Sequence, residues 1–467
     1  MKKWSLISFF ALALALTGCV KSSGNFPPDD RGVRLDSTNL PIVWIDVDGD
    51  SIKRDERIQA RMKIIHNGEG QLNYADTVAH PGQRVDYLGL IALRYRGNST
   101  YNDSPKKPYS FRTLAEPLKK GGTKKKVKLL GMGKDNNWAL LAPYADKSMI
   151  RDQLTRELAR PWMEFVPQGR FCELFLDGTY YGVYVLSEVV SKGKHRLDLR
   201  SPGDKGDDIT GDYLVEVDCD DDITFASKFP PLASDGRPLQ DRKVIFQYKW
   251  PDYEDLSRAQ RNYITRRIDE MERALDAGDY SSYIDVMSFI DYQLMMEMCH
   301  NVDAYRLSGK FYKRRDSVDP RFKMVLWDTD LAYGNSRFHE SWRTDTWMYC
   351  NNDVLYREGN SYMVPFWWYR LNADPKYTAA LKQRWAQYRN GNLREDLLMA
   401  KVDSLVNVIT ACGAMQRNSQ AWPRWGVKVW PNYYVSTDFD DEMAYIKQWI
   451  LDRLRWMDAQ LDYLSPQ

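Results

Sequence analysis

The chain has 467 residues, and 66 Lys+Arg against 64 Asp+Glu leave a formal net charge of +2. So small a surplus is no electrostatic footprint for nucleic acid or an anionic lipid surface, and no nucleic-acid partner is expected. The 6 cysteines are widely spaced with no CxxC pair, which argues against a zinc site.

In chain order, Lys2 and Lys3 precede an apolar run from Leu6 to Leu16 that ends in Leu16-Thr17-Gly18-Cys19. The run is too short to span a bilayer and has the layout of a secretory signal. A small residue directly before Cys resembles the bacterial lipoprotein signal, in which the thiol is acylated and becomes the new N-terminus. Residues 1–18 are therefore expected to be a lipoprotein signal peptide and Cys19 the lipidation site. Residues 19–38, with Ser22-Ser23-Gly24 and Pro27-Pro28-Asp29-Asp30, read as a flexible tether. This places the rest of the chain outside the cytoplasm, lipid-anchored to the cell envelope at an outer membrane or the cell surface.

No Pro/Gly/Ser linker interrupts residues 41–464, so residues 39–467 are expected to form one bilobal domain with lobes of roughly 39–255 and 256–467. The first lobe carries strand-like runs at 41–46, 58–65, 91–95, 109–112, 171–176 and 182–186. Asp177-Gly178 between the last two is a hairpin turn signal. One helix is expected at 146–159 with Asp146 as its N-cap. Residues 201–238 read as loop, and Asp218 with Asp220-Asp221-Asp222 as a solvated acidic turn, since the EF-hand spacing and its closing Glu are missing. The second lobe changes period: helices are expected at 256–275, 284–299, 376–388, 393–409 and 441–464. The last shows one apolar face through Met443, Ile446, Ile450, Leu454, Met457, Leu461 and Leu464.

Chemistry concentrates at three places. Arg94-Tyr95-Arg96-Gly97-Asn98-Ser99-Thr100 follows a strand, and Lys106-Lys107-Pro108-Tyr109 opens the next. A turn with free backbone amides at Arg96, Gly97, Asn98 and Ser99, followed by Lys106 or Lys107, would suit the oxygens of a nucleotide triphosphate. Asn301-Val302-Asp303 ends a helix, and Asp303 has the spacing of an acid that accepts or orients the proton of an attacking hydroxyl. The apolar run 322–327 then delivers Asp328-Thr329-Asp330 at a strand mouth. Asp328 is the candidate metal ligand, and Asp330 is either a second ligand or a structural acid. A helix-rich stretch, an acid in a loop and a strand leading into a metal-binding acid stand in the order used for phosphoryl transfer, which implies ATP and Mg²⁺. Glu188 either borders a base pocket or pairs with a lysine from the Gly97 side. Trp138 and His300 read as structural.

Together these segments resemble the spore-coat CotH family of atypical kinases. The resemblance rests on Arg96-Gly97-Asn98-Ser99-Thr100 with Lys106-Lys107-Pro108-Tyr109, Trp138-Ala139-Leu140-Leu141, Leu176-Asp177-Gly178-Thr179-Tyr180-Tyr181-Gly182 and Glu188. It continues through Asn301-Val302-Asp303, Trp327-Asp328-Thr329-Asp330 and the last helix. It implies an α+β, atypical bilobal protein-kinase-like fold with a β-rich N-terminal half and a helical C-terminal half. It also implies ATP- and Mg²⁺-dependent transfer to Ser/Thr of an exported or surface protein, with Asp303 matching the catalytic acid and Asp328 the metal-binding one. Residues 304–310 lack the metal-binding Asn of the kinase pattern, so that either a second metal is absent or Asp330 replaces the ligand. The alternative is a noncatalytic, surface-tethered binding or assembly module of the cell envelope that reuses the fold.

Overall fold

The computed structural model describes residues 32–220 and 223–463. The signal peptide, Cys19 and most of the tether expected at 1–38 lie outside the described residues, as does Leu464. Within them the chain is α+β, with strands concentrated in the first half and helices in the second.

Seven strands close a barrel in the order Ile42–Asp46, Ile58–Ile65, Val85–Tyr95, Tyr109–Thr113, Asn137–Leu141, Thr179–Ser187 and Gly169–Leu176. Every neighbouring pair is antiparallel except the closing one, where Ile42–Asp46 runs parallel to Gly169–Leu176. Alternating burial along Ile58–Ile65 points Ile58, Ala60, Met62 and Ile64 inward, where they join Val43, Leu93, Phe111, Trp138 and Leu174 in one core. Trp138 is fully buried there, as read from sequence, with the Arg196 guanidinium 4.8 Å from its ring centre. Asp177 (φ 47°) and Gly178 (φ 79°) both take left-handed backbone, the requirement of a type I′ hairpin turn, so that the Asp-Gly signal reports the turn correctly.

The helix expected to start at Asp146 starts at Arg151 instead (Arg151–Ala159). The Asp146 carboxylate still serves this end, accepting from the backbone amides of Ser148 (3.1 Å) and Arg151 (2.9 Å). The intervening turn places Met149 at φ 65°, which no helix accommodates.

The 201–238 segment departs most from expectation. Tyr213–Val217 is the central strand of a five-stranded antiparallel sheet, flanked by Ile245–Trp250 and Gly309–Lys313, with Thr224–Ala226 and Phe322–Val325 at the edges. All five residues of Tyr213–Val217 are buried, so the strand shows no alternation and hides an acid, Glu216. That carboxylate pairs with Lys310 and with Lys249 at 2.8 Å. The lobe boundary expected near residue 255 therefore runs through this sheet, which draws strands from both sides of it.

The helices observed at Arg258–Ala277, Val286–Cys299, Pro375–Asn390, Glu395–Thr410 and Phe439–Gln460 match the five expected, each displaced by a few residues. The first opens with a capping box between Ser257 and Gln260. In the last, Met443, Ile446, Ile450, Leu454 and Met457 are buried against the remaining helices, as their spacing requires. Among the described residues no single helix is long and apolar enough to cross a membrane. The short helix Ala414–Ala421 returns to the barrel and packs on Thr179–Ser187.

One buried acid carries a measurable consequence. Glu272, on Arg258–Ala277, accepts from Ser227 Oγ (2.8 Å) and Trp367 Nε1 (2.9 Å), with no cation in hydrogen-bond contact, and burial pushes its carboxyl up to about 7. A carboxyl raised in the folded state contributes stability that is full below its unfolded value and is lost as pH rises through the folded one. Glu272→Gln, which keeps both acceptor contacts, is expected to be more stable than the parent at pH 8 by roughly 3 kcal/mol, the equivalent of the shift. The gain should vanish near pH 4.5. Denaturant midpoints at the two pH values check it; an equal difference at both would disprove it.

Candidate active site

Between the barrel, the Arg151–Ala159 helix and the five-stranded sheet lies a cleft of about 810 Å³. That volume suits a nucleotide-sized ligand. Of the residues expected to carry chemistry, Arg96, Gly97, Asn98, Ser99, Asp303, Asp328 and Asp330 all line it.

Asp328 enters the cleft at the end of the Phe322–Val325 strand on left-handed backbone (φ 65°), a strained placement for a non-glycine residue at a site. Asn301 holds this turn by donating to the Asp328 carbonyl at 3.0 Å, and Ser308 Oγ donates to Asp328 Oδ2 at 3.1 Å. The carboxylate opens onto cleft solvent, yet the cleft walls remove much of its hydration. Together with the nearby Asp303 charge this pushes it up to about 6, against the pull of Arg96. Asp330 is raised further by burial and then by Asp328. Its carbonyl accepts from Asn335 at 3.0 Å, and its carboxyl takes no hydrogen bond among the described residues. Asp303 Oδ1 is held by Arg306 at 2.7 Å.

Opposite these acids the Arg96 guanidinium lies 5.2 Å from the Trp327 ring centre, and its buried Nη1 finds no hydrogen-bond partner. The turn following it leads into a short helix, Ser99–Asp103, in which the Asn102 amide bonds back to the Asn98 carbonyl; of the four amides expected to be free, that of Arg96 is taken by the Pro108 carbonyl.

Three expected residues stand elsewhere. Lys106 points into the barrel, where its ammonium donates to the Val183 carbonyl (2.5 Å) and Asn418 Oδ1 (2.8 Å) and lies 4.8 Å from the Tyr184 ring centre. Complete burial holds it well below the usual lysine range. Lys107 donates to the Tyr101 carbonyl and lies over the Tyr101 ring, outside the cleft. Glu188 is buried, pairs with Arg196 at 2.6 Å and accepts from the amides of Gly133 and Gln168, both 3.0 Å. It is not among the residues lining the cleft, and its partner is an arginine rather than a lysine. His300, a structural residue as read from sequence, ends the Val286–Cys299 helix, buried against Ser341 and Thr346.

Other site residues escaped the sequence reading. Asp152 and Arg156, paired at 2.8 Å, project into the cleft from Arg151–Ala159. Asp152 Oδ1 accepts from both the amide (3.3 Å) and hydroxyl (3.0 Å) of Thr329, tying the helix to the Asp328-Thr329-Asp330 segment. Arg156 lies 5.1 Å from the Trp327 ring centre and donates to Ser187 Oγ at 2.7 Å. The available signal was an Asp and an Arg at i, i+4 in a helix whose partial apolar stripe runs through Leu154 and Leu158. Asp218 and Asp220, read as a solvated turn, also line the cleft; burial raises Asp218.

Eight aspartates face three arginines and one lysine across the cleft walls. Such an excess would repel a polyphosphate unless a divalent cation came with it. Among the described residues no three His, Cys, Asp or Glu side chains converge at ligating distance. Two carboxylates with unbonded oxygens nevertheless fit Mg²⁺, which takes one or two carboxylates and completes its shell with water and phosphate. Asp328 and Asp330 would hold it.

No curated protein matches the chain. A family model described as CotH kinase protein matches residues 93–457 and takes in every cleft residue named above. Covering well over half of the sequence, that match places the chain in the CotH kinase protein family.

Proposed function

We propose that the chain transfers the terminal phosphoryl group of Mg²⁺-bound ATP to Ser/Thr hydroxyls of an exported or surface protein, on a kinase-like bilobal scaffold. The observation that carries this reading is the convergence of Asp303, Asp328 and Asp330 on one cleft opposite Arg96, whose Nη1 has no hydrogen-bond partner. Bound Mg²⁺ would neutralise phosphate charge. Asp303, oriented by Arg306, accepts or orients the proton of the acceptor hydroxyl through Oδ2. Arg96 and Arg156 supply the cationic wall expected of Lys106 and Lys107, and arginine's fork suits phosphate oxygens.

Thermal melting with millimolar Mg²⁺ and ATP tests the reading, since a ligand in large excess over its Kd stabilises the fold by a few kcal/mol. No shift would sink it. The noncatalytic alternative draws on the absence of both lysines from the cleft; nucleotide binding without transfer to any envelope protein would favour it.

We also propose, from residues 1–19 alone, that Cys19 is acylated and tethers the domain to the cell envelope. Cys19→Ser is expected to abolish labelling by radioactive palmitate and to release the protein from the membrane fraction. Retention of the label would refute the assignment.

A further inference from the structure

Gln153 lies one helical turn before Arg156 on the cleft side of Arg151–Ala159, only 3% exposed. Its Nε2 has no hydrogen-bond partner, and neither end of its carboxamide makes a hydrogen bond among the described residues. Leaving a buried amide unsatisfied is costly, and native proteins retain such groups where something else completes them. The carboxamide sits where the barrel wall has no side chain: a Cβ added to Gly169 would lie 2.5 Å from Gln153 Nε2, 2.7 Å from its Oε1 and 2.7 Å from Val185 Cγ1. Val185 lines the cleft, as do Leu141 and Met149, so an apolar surface stands beside an unused donor and acceptor. Arg156, the next residue on this face, packs on Trp327, directly before Asp328.

We infer that Gln153 reads the base of the bound nucleotide. This rests on the nucleotide reading above and deepens it. A carboxamide offers one donor and one acceptor side by side. A purine base answers with an adjacent acceptor and donor, a ring nitrogen beside the exocyclic amine in adenine or O6 beside N1–H in guanine. Phosphate, with acceptors only, is met by Arg96 and by the Mg²⁺ that Asp328 and Asp330 would hold. Leu141, Met149 and Val185 then cover the planar faces of the base.

The test titrates Mg²⁺-ATP and Mg²⁺-tripolyphosphate into the parent protein and Gln153→Met, a swap that keeps chain length and removes the amide. The parent should bind Mg²⁺-ATP more tightly than Mg²⁺-tripolyphosphate by about 10-fold or more. Gln153→Met should lose about that factor for ATP and keep tripolyphosphate binding within about 2-fold. Equal losses for ATP and tripolyphosphate, or none, would overturn the inference. The ligand-free melting temperature separates a structural role: removing an unsatisfied buried amide should leave it unchanged or raise it, and a fall would also overturn the assignment. A parent protein that binds neither ATP nor tripolyphosphate would remove the nucleotide reading itself.

Discussion

Asp328→Asn is expected to eliminate the stabilisation by Mg²⁺ and ATP, whereas Asp303→Asn should keep that stabilisation and lower phosphotransfer by roughly 10²- to 10³-fold. The split follows from where each carboxylate spends its charge. Asp328 sits at the strand mouth with Asp330, and both are raised above the ordinary carboxyl range by burial and then by a neighbouring acid, Asp303 for Asp328 and Asp328 for Asp330. A divalent cation relieves that repulsion, so the amide variant removes the ligand and the reason for the ion to bind. Asp303 bears on the same site but is engaged by Arg306 and approached from the loop after Val286–Cys299. Its loss leaves the cation site intact and the acceptor hydroxyl without a proton partner. Melting curves with and without ligand, beside transfer of labelled phosphate to a serine-containing acceptor, distinguish the two. If both variants bind and transfer like the parent, these acids are structural.

Arg151→Met is expected to destabilise the fold by about 3–5 kcal/mol, the largest stability effect of any single side chain considered. Arg151 is 1% exposed and bridges Asp146 at 2.7 Å to Glu442 at 2.6 Å, linking the start of the cleft helix to Phe439–Gln460. Methionine fills much of the same volume but strands two buried carboxylates facing one another. The cost lies in the orphaned charges rather than in lost packing. Adding Glu442→Gln and Asp146→Asn should therefore recover a large part of the loss, since buried ion networks often exchange for neutral groups at small net cost. Denaturant midpoints for the single and triple variants report this, and a triple variant no better than the single would place the effect in packing.

Much of the architecture was legible from local pattern. Ile58–Ile65 alternates and is a barrel strand with the predicted bounds; Asp177-Gly178 is a turn because both residues accept left-handed backbone. The long C-terminal helix follows from 3.6-residue spacing. Tyr213–Val217 escaped because a strand buried on both faces has no alternation, and its Glu216 looks like loop composition until Lys249 and Lys310 neutralise it. The helix start moved from Asp146 to Arg151 because a capping carboxylate serves amides two and five residues on as readily as an N-cap.

At the site the division is sharper. The sequence by itself determined the acids and the elements that deliver them, since an apolar run ending in Asp-Thr-Asp and a helix ending in Asn-Val-Asp are local features. They need no distant partner to be recognised. Only the tertiary structure decided which cations face them. Lys106 is adjacent to the glycine turn in the chain, yet its charge is taken by Asn418, more than three hundred residues away, inside a barrel whose closure no local pattern encodes. Glu188 is likewise taken by Arg196, while Arg156 and Gln153 reach the cleft from a helix that looked merely structural. The physical reason is that backbone conformation is set over a few residues, whereas the energy of a buried charge depends on every group within several ångströms, and those groups are chosen by the packing of the whole domain.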